Sequence, residues 1–323
     1  MDIPFTYVAQ GNLVELRAYL ANSDISMTDD RGNSFLHLAI KYNQIEIFDF
    51  LIENYADINL QNYDGETPLM LCVYYNRIGF LKALIKMKAN YLLTNKLGET
   101  PFYKACFLGR GMIVSLFLEN HMETLDCKNT NDEDIYFALL RSQNLTLFDF
   151  FAKKNDSFFK TTNYFNDTLL HLACKINSLP MVEYLLKYDV FVNAKNKAKE
   201  TPIFYATKNG NREIFSLLVA KGAILDLVNS YDEGLYDVAE YQAFKDYIKE
   251  KEANNKEYVR LYPLHHAVIL ENIFEVENNL HKNYIEQTDK YGYTPIELAT
   301  RLNNLQIKKI LADYLKELKK EVL

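Results

Sequence analysis

The chain has 323 residues, a formal charge of −7 and an apolar share of 49%. Such an apolar share excludes a disordered protein, and Lys and Arg scattered among Asp and Glu leave no basic face for a nucleic-acid backbone. No apolar segment approaches the roughly 20 residues a membrane helix needs, so no membrane partner is expected. Met1-Asp2-Ile3-Pro4 shows no signal-peptide pattern, and four cysteines without CxxC spacing fit a reducing compartment, so a cytoplasmic location is expected.

Taken in chain order, the elements repeat. A first helix is expected around Ala9, with a second (Leu13, Leu16, Leu20) that starts early, as a terminal cap does. From there a ladder of mostly small residues runs through Ala39, Cys72, Ala105, Ala138, Ala173, Ala206, Ala239, Ala267 and Ala299, at intervals of 33, 33, 33, 35, 33, 33, 28 and 32. A fixed period of this length signals stacked supersecondary units, which leave little chain over for a separate catalytic domain.

Residues 64–95 form the clearest unit. Asp64-Gly65 is a turn signal. Thr67 offers an oxygen to cap a helix, and Pro68 suits the first helical position, where no N–H is needed. The helix over about Pro68–Tyr75 carries Leu69 and Cys72 on one face, and Asn76 tolerates the left-handed conformation that ends it. Ile78, Leu81, Leu84 and Ile85 then stand at helical spacing. Each unit is therefore a turn and an antiparallel helix pair that must stack to bury both faces.

The signature returns as Ser34-Phe35-Leu36-His37-Leu38-Ala39, Thr67-Pro68-Leu69-Met70-Leu71-Cys72, Thr100-Pro101-Phe102-Tyr103-Lys104-Ala105 and Thr168-Leu169-Leu170-His171-Leu172-Ala173. Three further copies begin at Thr201, Tyr262 and Thr294, and paired aliphatics or aromatics such as Leu84-Ile85 and Leu185-Leu186 recur twelve residues after the ladder position. This pattern resembles the ankyrin repeat. The resemblance implies an all-α solenoid of about ten repeats over residues 1–323, read as one domain with capping repeats at both ends.

Two places break the pattern. The fifth unit has Asp132-Glu133-Asp134 in place of Thr-Pro, and a two-residue insertion is placed near Asp156 to Asn163. In the eighth unit Lys251 and Glu252 stand where other units have aliphatics, and Lys249 to Lys256 is polar. A shortened or distorted second helix and an irregular junction near 250–260 are expected there, with the remaining tail docked.

Candidate chemistry is sparse. His37, His171 and His265 occupy one seat that other units fill with Met70, Tyr103 or Phe204, so an imidazole bonding to a turn explains them better than a metal does. His266 neighbours that seat, and His121 and His281 are isolated. Cys72, Cys106 and Cys174 fall on packing positions. The acidic triplet is explained by helix capping. No catalytic residue, cofactor or metal site is expected.

In relatives of this kind, as the resemblance implies, partners are gripped by residues two and three after the ladder position and by turn tips. Here Tyr42, Tyr74, Tyr75, Phe107, Leu108, Leu140 and Arg141 form such a line, flanked at the tips by Arg31, Asn33, Tyr63, Asp64, Glu66, Leu97 and Glu99. An exposed Tyr-rich stripe marks an interaction site, yet the same aromatics would also pack between neighbouring first helices. The resulting expectation is a monomeric, non-enzymatic scaffold that grips a protein or peptide on its concave face. The alternative is the targeting part of an enzyme or secreted effector that modifies a host protein.

Overall fold

The computed structural model describes residues 3–155 and 157–321, without the side chains of residues 252–255 and 321. Met1, Asp2, Asp156 and the side chain of Glu252, each used in the sequence reading, lie outside that description. The chain divides into two compact units, residues 1–158 and 159–323.

The first unit contains α1 (Ile3–Gln10) and α2 (Leu13–Leu20), α3 (Phe35–Tyr42) and α4 (Ile45–Glu53), α5 (Pro68–Tyr74) and α6 (Ile78–Lys86), α7 (Pro101–Phe107) and α8 (Gly111–Glu119), and α9 (Ile135–Arg141) and α10 (Leu145–Ala152). The second contains α11 (Leu169–Lys175) and α12 (Leu179–Leu185), α13 (Pro202–Lys208) and α14 (Arg212–Ala220), and α15 (Leu235–Val238) and α16 (Gln242–Leu261). It ends with α17 (Pro263–Ile269), α18 (Ile273–Asn278), α19 (Lys282–Ile285), α20 (Pro295–Arg301) and α21 (Leu305–Glu321). Among the described residues there is no strand, only the isolated bridges Thr28–Ser34 and Thr162–Thr168. The fold is an all-α helix-pair stack.

Except at Thr201, whose hydroxyl caps nothing, the Thr-Pro caps form as the residue types dictate. Thr67 and Thr100 accept the backbone N–H groups of Met70 and Tyr103 at 3.3 and 3.1 Å, with Pro at the first helical position. Asn76 ends its helix pair's first arm in the left-handed region, as do Asn43, Gly109, Gln143, Asn177 and Gly210 at equivalent places. The ladder residues Ala39, Cys72, Ala105, Ala173 and Ala206 are fully buried where successive first helices meet.

A second periodic device was not read from the sequence. Asp29, Asn62, Asn95, Asn129, Asn163, Asn196, Asn229 and Asp289 each donate a backbone N–H to the carbonyl four residues on, at 2.9–3.1 Å. Each side-chain oxygen also accepts the N–H groups two and four residues later, as Asn95 does from Leu97 and Glu99 at 2.9 Å. The residue three on is always left-handed: Gly32, Gly65, Gly98, Asp132, Asn166, Lys199, Asp232 and Gly292. Turns then bond to one another, with Tyr63 N–H on Arg31 O (3.0 Å), Lys96 on Asp64 (2.9 Å) and Thr130 on Leu97 (2.8 Å).

These markers correct the ladder. From Asn95 to Asn129 to Asn163, and from Gly109 to Gln143 to Asn177, both steps are 34 residues, not 33 and 35. The two extra residues are therefore split between two repeats. In the first case the extra residue lies in the loop His121–Asn129, which takes eight steps where Lys88–Asn95 takes seven. The true seat in the fifth repeat is Leu139, and Ala138 merely adjoins it.

The eighth repeat also departs from expectation, in the opposite sense. Its first helix is the short one, four residues, while its second, α16, runs for 20. Lys and Glu are good helix formers, so the polar run continues the helix instead of breaking it, and Phe244, Ile248 and Tyr258 supply its buried face. Only Tyr262 separates α16 from Pro263, the first residue of α17, so no turn precedes the ninth repeat. The missing turn explains the interval of 28.

Replacing Asn95 with Ala removes two acceptor bonds and the donor bonds to Glu66 and Glu99 inside a buried turn. Loss of about 2–3 kcal/mol of unfolding free energy is expected, read from urea denaturation at constant slope. An unchanged midpoint would remove the turn's Asn from the account of stability.

Candidate functional site

The candidate surface lies on the first unit, along the C-terminal ends of α3, α5 and α7. Arg77 and Arg110, each heading a second helix, reach back to the last-turn carbonyls of Lys41 and Tyr74 at 3.4 Å. These bonds satisfy orphan helix carbonyls and fix each first helix against the next repeat.

On that frame Tyr74 is 51% exposed and Phe107 38%, while Tyr42, Tyr75 and Leu108 are half-buried. The Tyr74 and Tyr75 rings meet edge to face, with centroids 5.0 Å apart. Lys104 Nζ stands 5.6 Å above the Tyr74 ring and Lys41 Nζ 5.3 Å from that of Tyr42. Leu140 must be withdrawn from the line: it is fully buried. The reason is the register, since Leu140 follows the seat at Leu139 as Val73 follows Cys72, and that position points into the stack. The residue equivalent to Tyr74 is Arg141, half-buried and held by Glu133 at 2.6 Å.

The turn residues divide by task. Arg31, Tyr63, Asp64 and Leu97 are exposed at the tips. Asn33 and Glu99 are buried and belong to the turns: Asn33 accepts from Asn62 at 2.8 Å and Glu99 from Asn95 at 2.9 Å. Glu66 is half-buried and takes Lys104 Nζ at 2.5 Å and Asn95 Nδ2 at 3.1 Å on Oε1, while Oε2 has no hydrogen-bond partner. Arg31, Asp64, Glu66, Tyr74, Tyr75 and Lys104 together line a cleft of about 240 Å³.

Lys104 was missed as a member of this site, although its place at the turn of α7, one residue before the seat, was visible. The acid–base pairing of the face has a sequence signal: an acid just before the N-cap and a base eight residues on, as in Glu133–Arg141 (2.6 Å) and Glu200–Lys208 (2.5 Å).

The other candidates resolve into structure. His37 Nδ1 accepts the Ser34 backbone N–H at 3.2 Å, so Nε2 carries the proton and donates to Glu66 O at 3.0 Å in the next repeat. His171 does the same between Thr168 and Glu200 O, at 3.1 and 3.0 Å. Both ring nitrogens are committed, and burial pushes both imidazoles below their ordinary pKa. In His265, Nδ1 has no partner, because Tyr262 at the cap brings no matching hydroxyl. Burial raises the thiols of Cys72, Cys106 and Cys174, which stay protonated.

The acidic triplet splits three ways: Asp132 pairs with Lys128 at 2.8 Å, Glu133 with Arg141, and Asp134 caps α9 by accepting from Tyr136 N–H at 2.9 Å. Among the described residues no group of three or more His, Cys, Asp or Glu converges on a common point suited to a metal ion. Among them, too, no helix is long and apolar enough to cross a membrane.

A family model for ankyrin repeats, in three copies, matches residues 5–95, 56–131 and 127–229. No curated protein matches the chain.

The buried histidines fix a pH response. The unfolded chain takes up protons as pH falls through about 6.5, whereas the native imidazoles, held below that value, stay neutral. Their contribution is complete above about pH 6.5 and declines as pH falls from there toward the native pKa. Urea midpoints are expected to drop between pH 7.5 and 5.5. The double variant His37→Gln/His171→Gln should start lower by about 1–3 kcal/mol per site and show a flatter decline; an equally steep one would place the response elsewhere.

Proposed function

Because the chain belongs to the ankyrin-repeat family, whose repeats make protein–protein interaction domains, we propose that it is a non-enzymatic scaffold gripping a protein partner on the first-helix face of residues 42–108. One observation carries this reading: Tyr74 and Phe107 leave large aromatic surfaces in water at equivalent positions of adjacent repeats, beside a polar cleft. Scattered exposed apolar residues need no explanation, but aligned aromatics beside a cleft are the anatomy of a hot spot.

The mechanism is rigid presentation. Tyr74, Tyr75 and Phe107 act as anchors with few rotatable bonds, half-buried Tyr42 and Leu108 exclude water around them, and Arg31, Tyr63, Asp64 and Leu97 at the tips add adaptable contacts. Lys104, held between Glu66 at 2.5 Å and Glu99 at 3.9 Å, keeps the cleft floor in one geometry. Little conformational entropy is lost when the partner arrives, which favours affinity. The committed imidazoles and protonated thiols support a binding rather than a catalytic role. A monomer in a reducing, cytoplasmic setting accords with the three buried free cysteines.

Tyr74→Ser/Phe107→Ser is expected to shift unfolding by no more than about 0.5 kcal/mol, as surface changes do, while a partner captured by the wild-type chain is lost at least tenfold. Leu140→Ser is the control and should cost about 2–4 kcal/mol as a buried truncation. Thermal melts and quantitative capture read both. A large melting loss in the double variant, with partner retained, would assign these aromatics to packing.

A further inference from the structure

Repeats in a stack touch only their neighbours, and the second unit breaks that rule. Tyr293 Oη donates to the Asp189 carboxylate at 2.9 Å, and Arg301 pairs with the same carboxylate across 112 residues of chain. Lys195 Nζ donates to Glu271 at 2.7 Å and to Ile269 O at 3.1 Å, and Asn304 donates to Glu271 at 3.1 Å. The last two helix pairs thus fold back onto the loops that follow α12. Between the two arms lies a cleft of about 640 Å³, inside the range of about 300–1,000 Å³ typical of ligand pockets.

The charges in this cleft are layered. Lys195 and Arg301 are recessed, with side chains 15% and 26% exposed, while Glu271 and Asp189 sit toward the rim at 34% and 62%. Arg301 is further held over the Tyr293 ring at 4.5 Å. Lys160 also lines the cleft, giving three cations against two carboxylates in a protein whose overall charge is −7. Phe159, Phe191 and Leu302 add apolar wall. Burial works to raise the Asp189 carboxyl, but the bonds from Arg301 and Tyr293 and the charges of Arg301 and Lys160 outweigh it and hold it ionised. An ion pair with so exposed a carboxylate is weakly held, so Asp189 is the replaceable member.

We propose that this cleft is a second binding site, for an acidic extended peptide segment, and that Asp189 blocks it by occupying the Arg301 position the ligand's carboxylate takes. Entry exchanges one carboxylate for another: Asp189 swings to solvent, the ligand pairs with Arg301, Lys160 and Lys195, and its apolar side chains rest on Phe159 and Phe191.

The test is fluorescence anisotropy on the full chain with a labelled Glu-Phe-Glu-Leu-Glu-Phe peptide, its Lys-for-Glu counterpart and a thymidine oligonucleotide. The acidic peptide should bind, and weaken as salt rises. Arg301→Gln should weaken it about tenfold, and Asp189→Asn should tighten it about threefold, within the range an exposed ion pair commands. Tightening is the arm expected of a carboxylate that competes for Arg301, and it stands even where Arg301→Gln melts the unit. Tyr74→Ser/Phe107→Ser should leave this binding unchanged, which separates it from the face on the first unit. No binding of the acidic peptide, equal binding of the basic peptide or the oligonucleotide, or unchanged or weaker binding by Asp189→Asn would overturn the proposal.

Discussion

The fold depends on one recurring interaction: an Asn or Asp side chain, buried in six of eight turns, that closes the turn ahead of each first helix from the second repeat to the eighth and again in the tenth. Its oxygen satisfies two backbone N–H groups, and its own N–H reaches the carbonyl four residues on. This forces the residue between into the left-handed region, where Gly occurs in four of the eight turns and Asp, Asn or Lys in the others. The turn then presents its next N–H to the preceding turn and aims the Thr or Asp cap at the first helix. Cap, seat and face positions all follow from where that side chain sits, which is why a shift of one residue relocates a contact surface.

How much was legible depends on how local the signal was. The Thr-Pro caps at Thr67, Thr100 and Thr294 and the left-handed Asn76 are set by neighbours in sequence and behave in the structure as their chemistry requires, whereas Thr201 caps nothing. The small-residue ladder was equally plain except between Ala105 and Ala173, where Ala138 stands beside the true seat at Leu139. Size alone favoured the wrong neighbour. The spacing of Asn95, Asn129 and Asn163 would have settled the matter, because a buried turn acceptor cannot slip by one residue without orphaning two donors. Leu140 followed that error directly. The long α16 departs from expectation for a different reason: its polar residues do not break the helix but show that most of its circumference faces water. That the tail docks was legible, but its fold-back onto the loop after α12 was not, since Asp189 and Arg301 are distant in sequence and each is an ordinary surface residue by type.

The repeats carry a division of labour. Most polar groups that build the stack are buried and paired: His37 and His171 spend both nitrogens, Asn33 and Glu99 are enclosed in turns, and Glu133 is tied to Arg141, while half-buried Glu66 holds Lys104 through Oε1 alone. Burial of such groups is tolerable only because each is paired, and the buried Nδ1 of His265 shows what happens when the partner at the cap is replaced.

In α3, α5 and α7 the side chains two and three after the seat have no share in that work, unlike Arg141 and Lys208, which hold Glu133 and Glu200. They stand at the end of a first helix whose terminal carbonyls are already satisfied, for α3 and α5 by Arg77 and Arg110 from the following repeat. Their side chains can therefore change without disturbing a cap, a turn or the seat. Tyr74 and Phe107 are large and apolar at places where the stack asks for nothing, and water disfavours them there. Large aromatics exposed on a frame held rigid by other residues are what the proposed partner face would need. The same logic separates the two units. In the first the aromatic face at the ends of the first helices stays open, whereas in the second the chain's own last helix pairs bond to the loop after α12 through ion pairs.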